Sequence, residues 1–435
     1  MRITLINQYY EPDLSPTSRL AVSLAEHRAA LGDQVTVVTS AARYLRNGRA
    51  PRVRKRRNPR VWRAPAPTWP ARNLSIRALQ YLAFYCGAGF RLATLPRQDV
   101  IICLTTPPFV VVLGILHRWL RGRTKLVLWS MDCYPEILEV AGLIKPGGLL
   151  AGLGRRLNRW SFGRLEHVVC LDDAMKRHLQ SSYAPRQGSL AFTVIPNWER
   201  RAQFCGPVQP APWKGLQRLE VRDQFIVIYQ GNAGYGHEFD TVIEAAQTLR
   251  NEPVCFLFVG GGAQHGRIRD ASAGRGLENI RFHSYVPQEE LGSVLASADL
   301  SLVTLSDAAL GLMSPSKFHS YLGMGVPVIY IGPSGGNVDR AIGRFRCGLS
   351  IRHGQVTQLV AFIRKAMSDR CWLLELKRKA RTAFEEAYCD ERTLPQFDQV
   401  IESLRPEAEA TRCPGLQAAS SSGTDDLIQP GASPS

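Results

Sequence analysis

The chain has 435 residues, of which 45% are hydrophobic, enough for two or three domains with large buried cores. Its ten cysteines form no CxxC pair and no Cys/His spacing typical of zinc, so the sequence predicts reduced thiols rather than a disulfide scaffold. The formal net charge of +17 lies in the first half: residues 1–200 hold 30 Lys and Arg against 12 Asp and Glu. This asymmetry indicates an anionic partner such as nucleic acid, lipid headgroups or a phosphorylated substrate.

Residues 1–200 are predicted to form an α/β domain. A buried strand at 3–6, a helix from 20 to 31 and a strand at 35–38 are typical of the start of a doubly wound sheet. The opening lacks GxGxxG, so a dinucleotide site is not supported, and it lacks the apolar run and cleavage site of a signal peptide. Further strands are predicted at 100–104, 126–129, 168–171 and 192–195.

Residues 43–76 are basic and rich in proline, most densely at RVRKRRNPR (52–60). This composition is typical of a solvated loop, and it also suits an anionic membrane surface or a phosphorylated acceptor. No helix-turn-helix, zinc-finger or RNP pattern supports nucleic acid as the partner. The apolar stretches at 74–95 and 107–120 are too interrupted to cross a bilayer, which leaves core helices or interfacial helices. We therefore expect a cytoplasmic protein whose residues 43–120 contact the anionic inner face of the cell membrane.

A second α/β unit is predicted at 221–388, after a linker of little periodicity at 201–220. A last helix is predicted at 389–405, and the polar segment 406–435 is predicted to be a disordered tail. The second unit has predicted strands at 225–234, 254–262, 279–283 and 300–305, and helices at 238–250, 288–297, 355–368 and 373–388. Two facing parallel sheets leave a cleft between their strand ends, where a reaction of two substrates fits.

Three glycine-rich turns follow strands of the second unit, at 231–234, 260–262 and 332–336. Glycine allows backbone N–H groups to approach a ligand closely. Each turn alone is typical of a tight strand–helix connection, whereas the three together favour a ligand that bears phosphate.

The run Ser314-Pro315-Ser316-Lys317 predicts a helix start, with Ser314 as N-cap and Pro315 in the first helical position. Unpaired N–H groups at such a start suit a diphosphate. Lys317 in the first turn opposes the helix dipole unless an anion is bound, although a solvent-facing lysine is the alternative.

Six motifs together resemble the retaining glycosyltransferase family 4, and most of all its bacterial branch in surface-polysaccharide assembly. They are NQYYEPDLSPTSRL (7–20), DCYPE (132–136), VIPNW (194–198), GNAGYGHEFDTVIEAA (231–246), FLFVGGG (256–262) and the PSK-containing run at 315–328. The resemblance implies a GT-B fold, in which two Rossmann-like domains face each other across a cleft and the C-terminal helix crosses back. It implies sugar transfer from a nucleotide sugar, with UDP the commonest, to a lipid-linked or oligosaccharide acceptor. No cofactor or metal is implied, because cationic side chains and N–H groups stabilise the leaving diphosphate.

The resemblance places the donor mainly in the second domain and the acceptor mainly in the first. Candidate donor-binding residues are Gly231, Asn232, Gly234, Tyr235, His237, Gly260, Gly261, Val286, Ser314, Ser316 and Lys317. Candidate acceptor-side residues are Ser15, Thr17 and Arg19. Asp132, at the end of a strand, is the best candidate for orienting or deprotonating an acceptor hydroxyl, and Glu136 is the second. Capping of the next turn is the alternative role of both carboxylates.

The chain departs from the family at two positions. The family usually carries two glutamates eight residues apart, and here these positions hold Leu312 and Ser320. The loop after residue 231 also lacks the usual basic residue, which leaves Lys317 as the main candidate for the diphosphate. A relative that binds a nucleotide sugar without transferring it is therefore an open alternative. A nucleotide-sugar epimerase of the same architecture is another, with a poorer fit at DCYPE and PSK.

Overall fold

The computed structural model describes residues 1–13, 15–41, 57–67, 74–186, 188–204 and 211–405. The predicted tail at 406–435 and the basic residues 42–56 lie outside this described part of the chain.

The first half alternates strands and helices. In chain order its elements are β1 (Arg2–Ile6), α1 (Pro16–Ala30), β2 (Gln34–Ser40), β3 (Arg60–Ala64), α2 (Leu74–Thr94), β4 (Val100–Leu104), α3 (Val111–Arg121), β5 (Lys125–Trp129), α4 (Glu136–Val140), α5 (Leu149–Phe162), β6 (His167–Cys170), α6 (Asp173–Tyr183) and β7 (Ala191–Val194).

The second half repeats this alternation and ends in helices. Its elements are α7 (Gly215–Arg218), β8 (Phe225–Asn232), α8 (Asp240–Thr248), β9 (Val254–Gly261), α9 (His265–Gly274), β10 (Ile280–His283), α10 (Leu291–Ala296), β11 (Leu300–Thr304), α11 (Lys317–Gly323), β12 (Val328–Ile331), α12 (Asn337–Phe345), β13 (Gly348–Ile351), α13 (Val356–Ser368), α14 (Arg370–Ala383) and α15 (Asp390–Ser403). A π-helical segment, Phe384–Tyr388, joins the last two helices.

Each half contains one wholly parallel sheet, which confirms the predicted α/β class. The described strands pair in the order β3-β2-β1-β4-β5-β6-β7 in the first sheet and β10-β9-β8-β11-β12-β13 in the second. The strand order reverses between β1 and β4 and between β8 and β11, and ligands of such sheets bind beside these reversals at the strands' carboxyl ends. Helices cover both faces, which explains why strands such as β4 are buried at every position.

Helix α15 returns to the first domain instead of ending on the second. Phe397 on this helix is fully buried, and its ring centroid lies 4.6 Å from that of Trp129 and 5.5 Å from that of Trp198. Arg28 of α1, itself 2% exposed, donates to Asp398 and Glu402, both at 2.9 Å. An aromatic cluster and a buried ion network therefore hold the crossing helix.

The predicted linker at 201–220 is partly packed. Its described end includes α7, and the buried side chains of Trp213 and Leu216 belong to the core of the second domain. Trp213 also donates its ring N–H to Glu290 at 2.9 Å. The domain boundaries at 200 and 221 therefore stay predictions.

Phe397→Ala tests the anchoring of α15. Removing a fully buried aromatic ring should lower the free energy of unfolding of the first domain by about 3–5 kcal/mol. The exposed Gln399→Ala on the same helix is the control and should stay within about 0.5 kcal/mol of the wild type. Denaturant unfolding followed by tryptophan fluorescence measures both, and equal stabilities of the two variants would contradict this account of the crossing.

Candidate active site between the two domains

A short segment of the second domain, residues 311–313, docks on the first domain; we call it the bridging segment. The backbone N–H of Cys133 donates to the carbonyl of Leu312 at 2.8 Å, and Met313 forms an antiparallel bridge with Asp132. Leu312 is 6% exposed and belongs to the hydrophobic core of the first domain. The bridging segment therefore joins the two domains directly beside the candidate carboxylate.

Further contacts join the domains nearby. Asp172 caps α6 by accepting from the N–H of Met175, and its other oxygen accepts from the N–H of Asn337 at 3.2 Å. Arg340 pairs with Asp173. The cleft is thus closed at this edge by polar contacts as well as by Leu312.

Asp132 lies just beyond the carboxyl end of β5. The N–H groups of Met131 and Asp132 both donate to the hydroxyl of Thr105, at 3.0 Å each, which fixes the turn. Burial raises the pKa of the Asp132 carboxyl to about 6. A carboxylate with a pKa near the working pH can take a proton from a hydroxyl, the role expected of it from the sequence.

Glu136 has a different environment, at the first position of α4. Its carboxylate accepts from Arg155 at 3.2 Å and from the hydroxyl of Tyr183. Arg155 also pairs with Glu139. These partners tie Glu136 into a network inside the first domain, and a structural role accounts for it.

The start of α1 presents a charged side chain to the junction between the domains. Ser15 caps α1, accepting from the N–H of Ser18 at 3.3 Å, and Thr17 lies within 3.4 Å of the Ser15 hydroxyl. Arg19 instead reaches the carboxylate of Glu199, at 3.0 Å. Helix capping thus accounts for Ser15, whereas Arg19 contacts the junction between the domains.

The glycine turns of the second domain pack on one another. Gly260 has φ +138°, and a Cβ there would lie 2.2 Å from the carbonyl oxygen of Gly231. A Cβ at Gly262 would lie 2.4 Å from the side-chain oxygen of Asn232. A Cβ at Gly261 would lie 3.2 Å from the ring of Tyr285, and a Cβ at Gly234 would lie 3.3 Å from the side chain of Asn232. The contact between β8 and β9 at their carboxyl ends therefore requires glycine whether or not a ligand is bound.

Lys317 is the first residue of α11 and lies against the end of β8. Its Nζ donates to the hydroxyl of Tyr229 at 2.9 Å and lies 4.5 Å above the ring centroid, and that hydroxyl donates to the carbonyl of Asn232 at 3.0 Å. Burial lowers the pKa of Lys317 to about 7. None of the described carboxylates forms a salt bridge with Lys317. The end of β8 therefore holds a half-buried amine that has no carboxylate partner among the described residues.

The other predicted donor-side residues are dispersed. His237 is buried, donates from Nδ1 to the carbonyl of Thr304 at 2.6 Å, and has a pKa well below the usual range, mainly because of burial. Tyr235 is 52% exposed, and Val286 is half-buried against the core of the second domain. His237 thus connects two strand ends, while Tyr235 is free to contact solvent or a ligand.

The prediction that Ser314 is the N-cap and Pro315 the first helical residue is wrong. The helix begins at Lys317, and Ser316 occupies the cap position without a side-chain cap hydrogen bond. The bridging segment explains the difference, because its pairing with the first domain keeps the chain non-helical until after Pro315. Helix α11 has only seven residues, so Lys317 rather than a helix dipole is the group to consider for an anion.

A carboxylate that the sequence analysis missed lies beside position 320. The hydroxyl of Ser320 donates to Glu199 at 2.8 Å, and Glu199 is 6% exposed. The backbone N–H of Glu199 donates to the carbonyl of Tyr388, and its carbonyl accepts from the N–H of Asp390, both at 3.1 Å. Glu199 is thereby tied to the start of α15. Glu199 directly follows the motif VIPNW, in the chain that leaves β7, and this position was the available signal.

The described residues contain neither a metal-binding cluster nor a membrane-spanning helix. No group of three or more His, Cys, Asp or Glu side chains in this part could hold a metal ion. Among the helices so described, none has the length and apolar character needed to span a bilayer.

Comparison with known proteins identifies both domains. The profile of the group 1 glycosyl transferases matches residues 217–387, and that of the glycosyl transferase 4-like domain matches residues 17–198. WcaI of Escherichia coli (strain K12), named as a colanic acid biosynthesis glycosyl transferase, is 28% identical over 75% of this chain and 82% of its own. WbjE of Pseudomonas aeruginosa, named as a glycosyltransferase, is 25% identical over 72% and 76% of the two chains.

Solved structures agree in fold. HepE of Anabaena in complex with UDP superposes with a TM-score of 0.64 at 14% identity, covering 93% of this chain and 100% of its own. The sequence motifs indicated membership of glycosyltransferase family 4. Three findings confirm it: profiles that together span most of the chain, two curated relatives, and a structural likeness over both domains. The chain belongs to glycosyltransferase family 4 and has the GT-B fold, with two Rossmann-like domains and relatives in surface-polysaccharide biosynthesis.

Proposed function

We propose that the protein is a retaining, metal-independent glycosyltransferase that moves a sugar, of the hexose type, from a UDP-sugar to a lipid-linked or oligosaccharide acceptor in polysaccharide biosynthesis. The observation that carries this proposal is Lys317, a half-buried amine without a carboxylate partner among the described residues, at the sheet reversal where ligands of such sheets bind. Burying an ionised amine is unfavourable unless an anion is near, and a diphosphate is such an anion. The complexes of HepE with UDP and with UDP-glucose favour a UDP-sugar donor.

In this mechanism the bond between the sugar and the diphosphate breaks, and a bond from the sugar to an acceptor oxygen forms. Lys317 stabilises the charge that grows on the diphosphate, without a metal ion. Asp132, with its pKa near 6, orients the acceptor hydroxyl and takes its proton. The family resemblance supports transfer with retention of configuration.

A relative that binds donor without transfer is the second candidate, because Leu312 and Ser320 replace the family's two glutamates. Leu312 lies in the core of the first domain and has no donor role. Beside Ser320 lies the buried carboxylate of Glu199, which is also paired with Arg19. The presence of a carboxylate at this place favours the enzyme over the binding relative.

Binding of UDP by Lys317→Met tests the donor site. The free lysine has a pKa of about 7, and a bound diphosphate raises it. Affinity for UDP should therefore fall as pH rises from 7 to 9, by up to about tenfold per pH unit, because binding then requires proton uptake. Lys317→Met should bind UDP about 1.5–3 kcal/mol more weakly at pH 7 and lose this pH dependence. Isothermal titration calorimetry measures both effects.

Lys365→Met is the matched control, since Lys365 also lies over an aromatic ring of the second domain, 4.4 Å above Trp372. It should bind UDP as the wild type does. If Lys317→Met bound UDP with wild-type affinity at pH 7, this donor site would be refuted. A larger thermal shift with GDP- or dTDP-sugars than with UDP-sugars would identify a different nucleotide in the donor.

We also propose peripheral attachment to an anionic membrane at the cytoplasmic face. Helices α2, α3 and α5 lie side by side, and the rings of Trp119 and Trp160 join the last two at 5.7 Å. These helices expose large apolar side chains, namely Leu79, Leu82, Phe90, Leu116, Trp119, Leu120, Leu149, Leu150 and Leu153. Exposed basic residues accompany them, namely Arg77, Arg121, Arg123, Arg156 and Arg159. Apolar side chains among basic ones suit an anionic bilayer surface, and this face extends beyond the predicted residues 43–120 to α5.

Sedimentation with vesicles of phosphatidylcholine and phosphatidylglycerol tests this attachment. Leu149 and Leu150 are 80% and 66% exposed, and the pair Leu149→Asp/Leu150→Asp should weaken vesicle binding at least about tenfold, because two leucines no longer enter the bilayer. Leu374→Asp, at a site 54% exposed on α14, is the control and should bind as the wild type does. The attachment is disproved by a wild type that ignores these vesicles at low salt, or by equal binding of the two variants.

A further inference from the structure

A small cavity lies where the two domains meet, and we call it the hinge cavity. The start of α1, the chain that follows β7 and the start of α11 surround it. Its polar lining comes from Arg19, Asn197, Glu199, Ser316 and His319. Residues of both domains and of the junction between them therefore form one site.

Three buried polar atoms of this lining have no hydrogen-bond partner among the described residues: Nε2 of His319, the side-chain oxygen of Asn197 and Nε of Arg19. His319 is 1% exposed and Asn197 is 6% exposed. Leaving such groups unpaired is unfavourable, so each one in a native structure requires an explanation. Three of them around one cavity indicate an occupant.

The protonation of His319 follows from its contacts. Nδ1 donates to the carbonyl of Ser316 at 3.0 Å, so a neutral ring presents a lone pair at Nε2. Burial, with a smaller effect of the Arg19 charge, lowers the pKa of His319 to about 4, and the ring is neutral at physiological pH. Nε2 of His319 therefore accepts a hydrogen bond.

The cavity thus offers two acceptors, on His319 and Asn197, and one N–H donor, on Arg19. A phosphate supplies acceptors only, leaves the two protein acceptors unpaired, and meets the carboxylate of Glu199. An apolar group satisfies none of the three. Hydroxyl groups, which both donate and accept, match the set.

The position of the cavity indicates which molecule carries these hydroxyls. Ser316 directly precedes Lys317, and Arg19 lies near the start of α1, among the residues assigned to the acceptor side. Glu199 holds Arg19 and Ser320 in place, at 3.0 and 2.8 Å, and is a positioning residue. The cavity is therefore lined both by a residue next to the proposed diphosphate site and by a residue of the proposed acceptor side.

We propose that the hinge cavity is a sugar subsite in which hydroxyl groups of the donor or acceptor sugar bond to His319, Asn197 and Arg19. This inference rests on the proposed function, because it takes Lys317 as the site of the diphosphate. It gives the chain a means of holding a sugar that does not depend on carboxylates at positions 312 and 320.

The test compares UDP-glucose with UDP by calorimetry on the full chain. His319→Phe should bind UDP-glucose about tenfold more weakly and UDP as the wild type does, because only the sugar loses a hydrogen bond. His319→Gln, which keeps an acceptor, should recover part of the affinity, and Asn197→Ala should behave as His319→Phe does. If the acceptor sugar is the occupant, His319→Phe should bind UDP and UDP-glucose as the wild type does. Free glucose should then bind more weakly to UDP-saturated His319→Phe than to the UDP-saturated wild type.

His117→Phe is the matched control. His117 is equally buried, donates from Nδ1 to a carbonyl and has an unpaired Nε2, but it lies on α3 beneath α2. It should bind all ligands as the wild type does, and thermal melting confirms that the variants fold.

The inference would be overturned if His319→Phe bound both UDP-glucose and free glucose with wild-type affinity. If only the melting temperature of this variant changed, the cavity would hold water instead of a sugar hydroxyl. A wild type that fails to bind UDP would instead overturn the proposed donor site and, with it, this subsite.

Discussion

The docking of the bridging segment, residues 311–313, on the first domain is the contact on which the site depends. It buries Leu312 in the core of the other domain and pairs Met313 with Asp132. Asp132 is half-buried beside this contact, and burial raises its pKa to about 6. The same contact delays the start of α11 to Lys317, which places that lysine against Tyr229. One interdomain contact therefore lies beside both side chains of the proposed mechanism, Asp132 and Lys317.

The chain has replaced the family's paired glutamates with a different distribution of charge. Leu312 contributes packing between domains, and Ser320 donates to a glutamate from the junction. Glu199 in turn fixes Arg19, so a change at this carboxylate acts on both domains. The return of α15 to the first domain, held by Phe397 and Arg28, keeps the junction in register. A carboxylate from a residue 121 positions away in the chain thus lies beside position 320.

The sequence predicted most strands of both sheets because parallel strands buried on two faces are continuous apolar runs, such as β4 and β9. It also located the glycine turns and Lys317. It failed at Ser314, where pairing with the first domain outweighs local capping preference. It missed α12 and β13. A glycine in the left-handed position is the usual sign that a helix ends, and Arg346 takes this position after α12. Tyr229, Glu199 and His319 were missed because their roles arise from contacts between distant parts of the chain.

Release of UDP from UDP-glucose, UDP-galactose and UDP-N-acetylglucosamine, with water in place of the acceptor, tests the central claim most directly. The claim is that the closed cleft supports transfer without the two glutamates of the family. We expect slow release from at least one of these donors, with a rate that rises as pH increases through about 6, as deprotonation of Asp132 requires. Asp132→Asn should lower this rate at least about a hundredfold and remove the pH dependence. Tight binding of the donors with no release at any pH would contradict the claim and identify the chain as a binding relative.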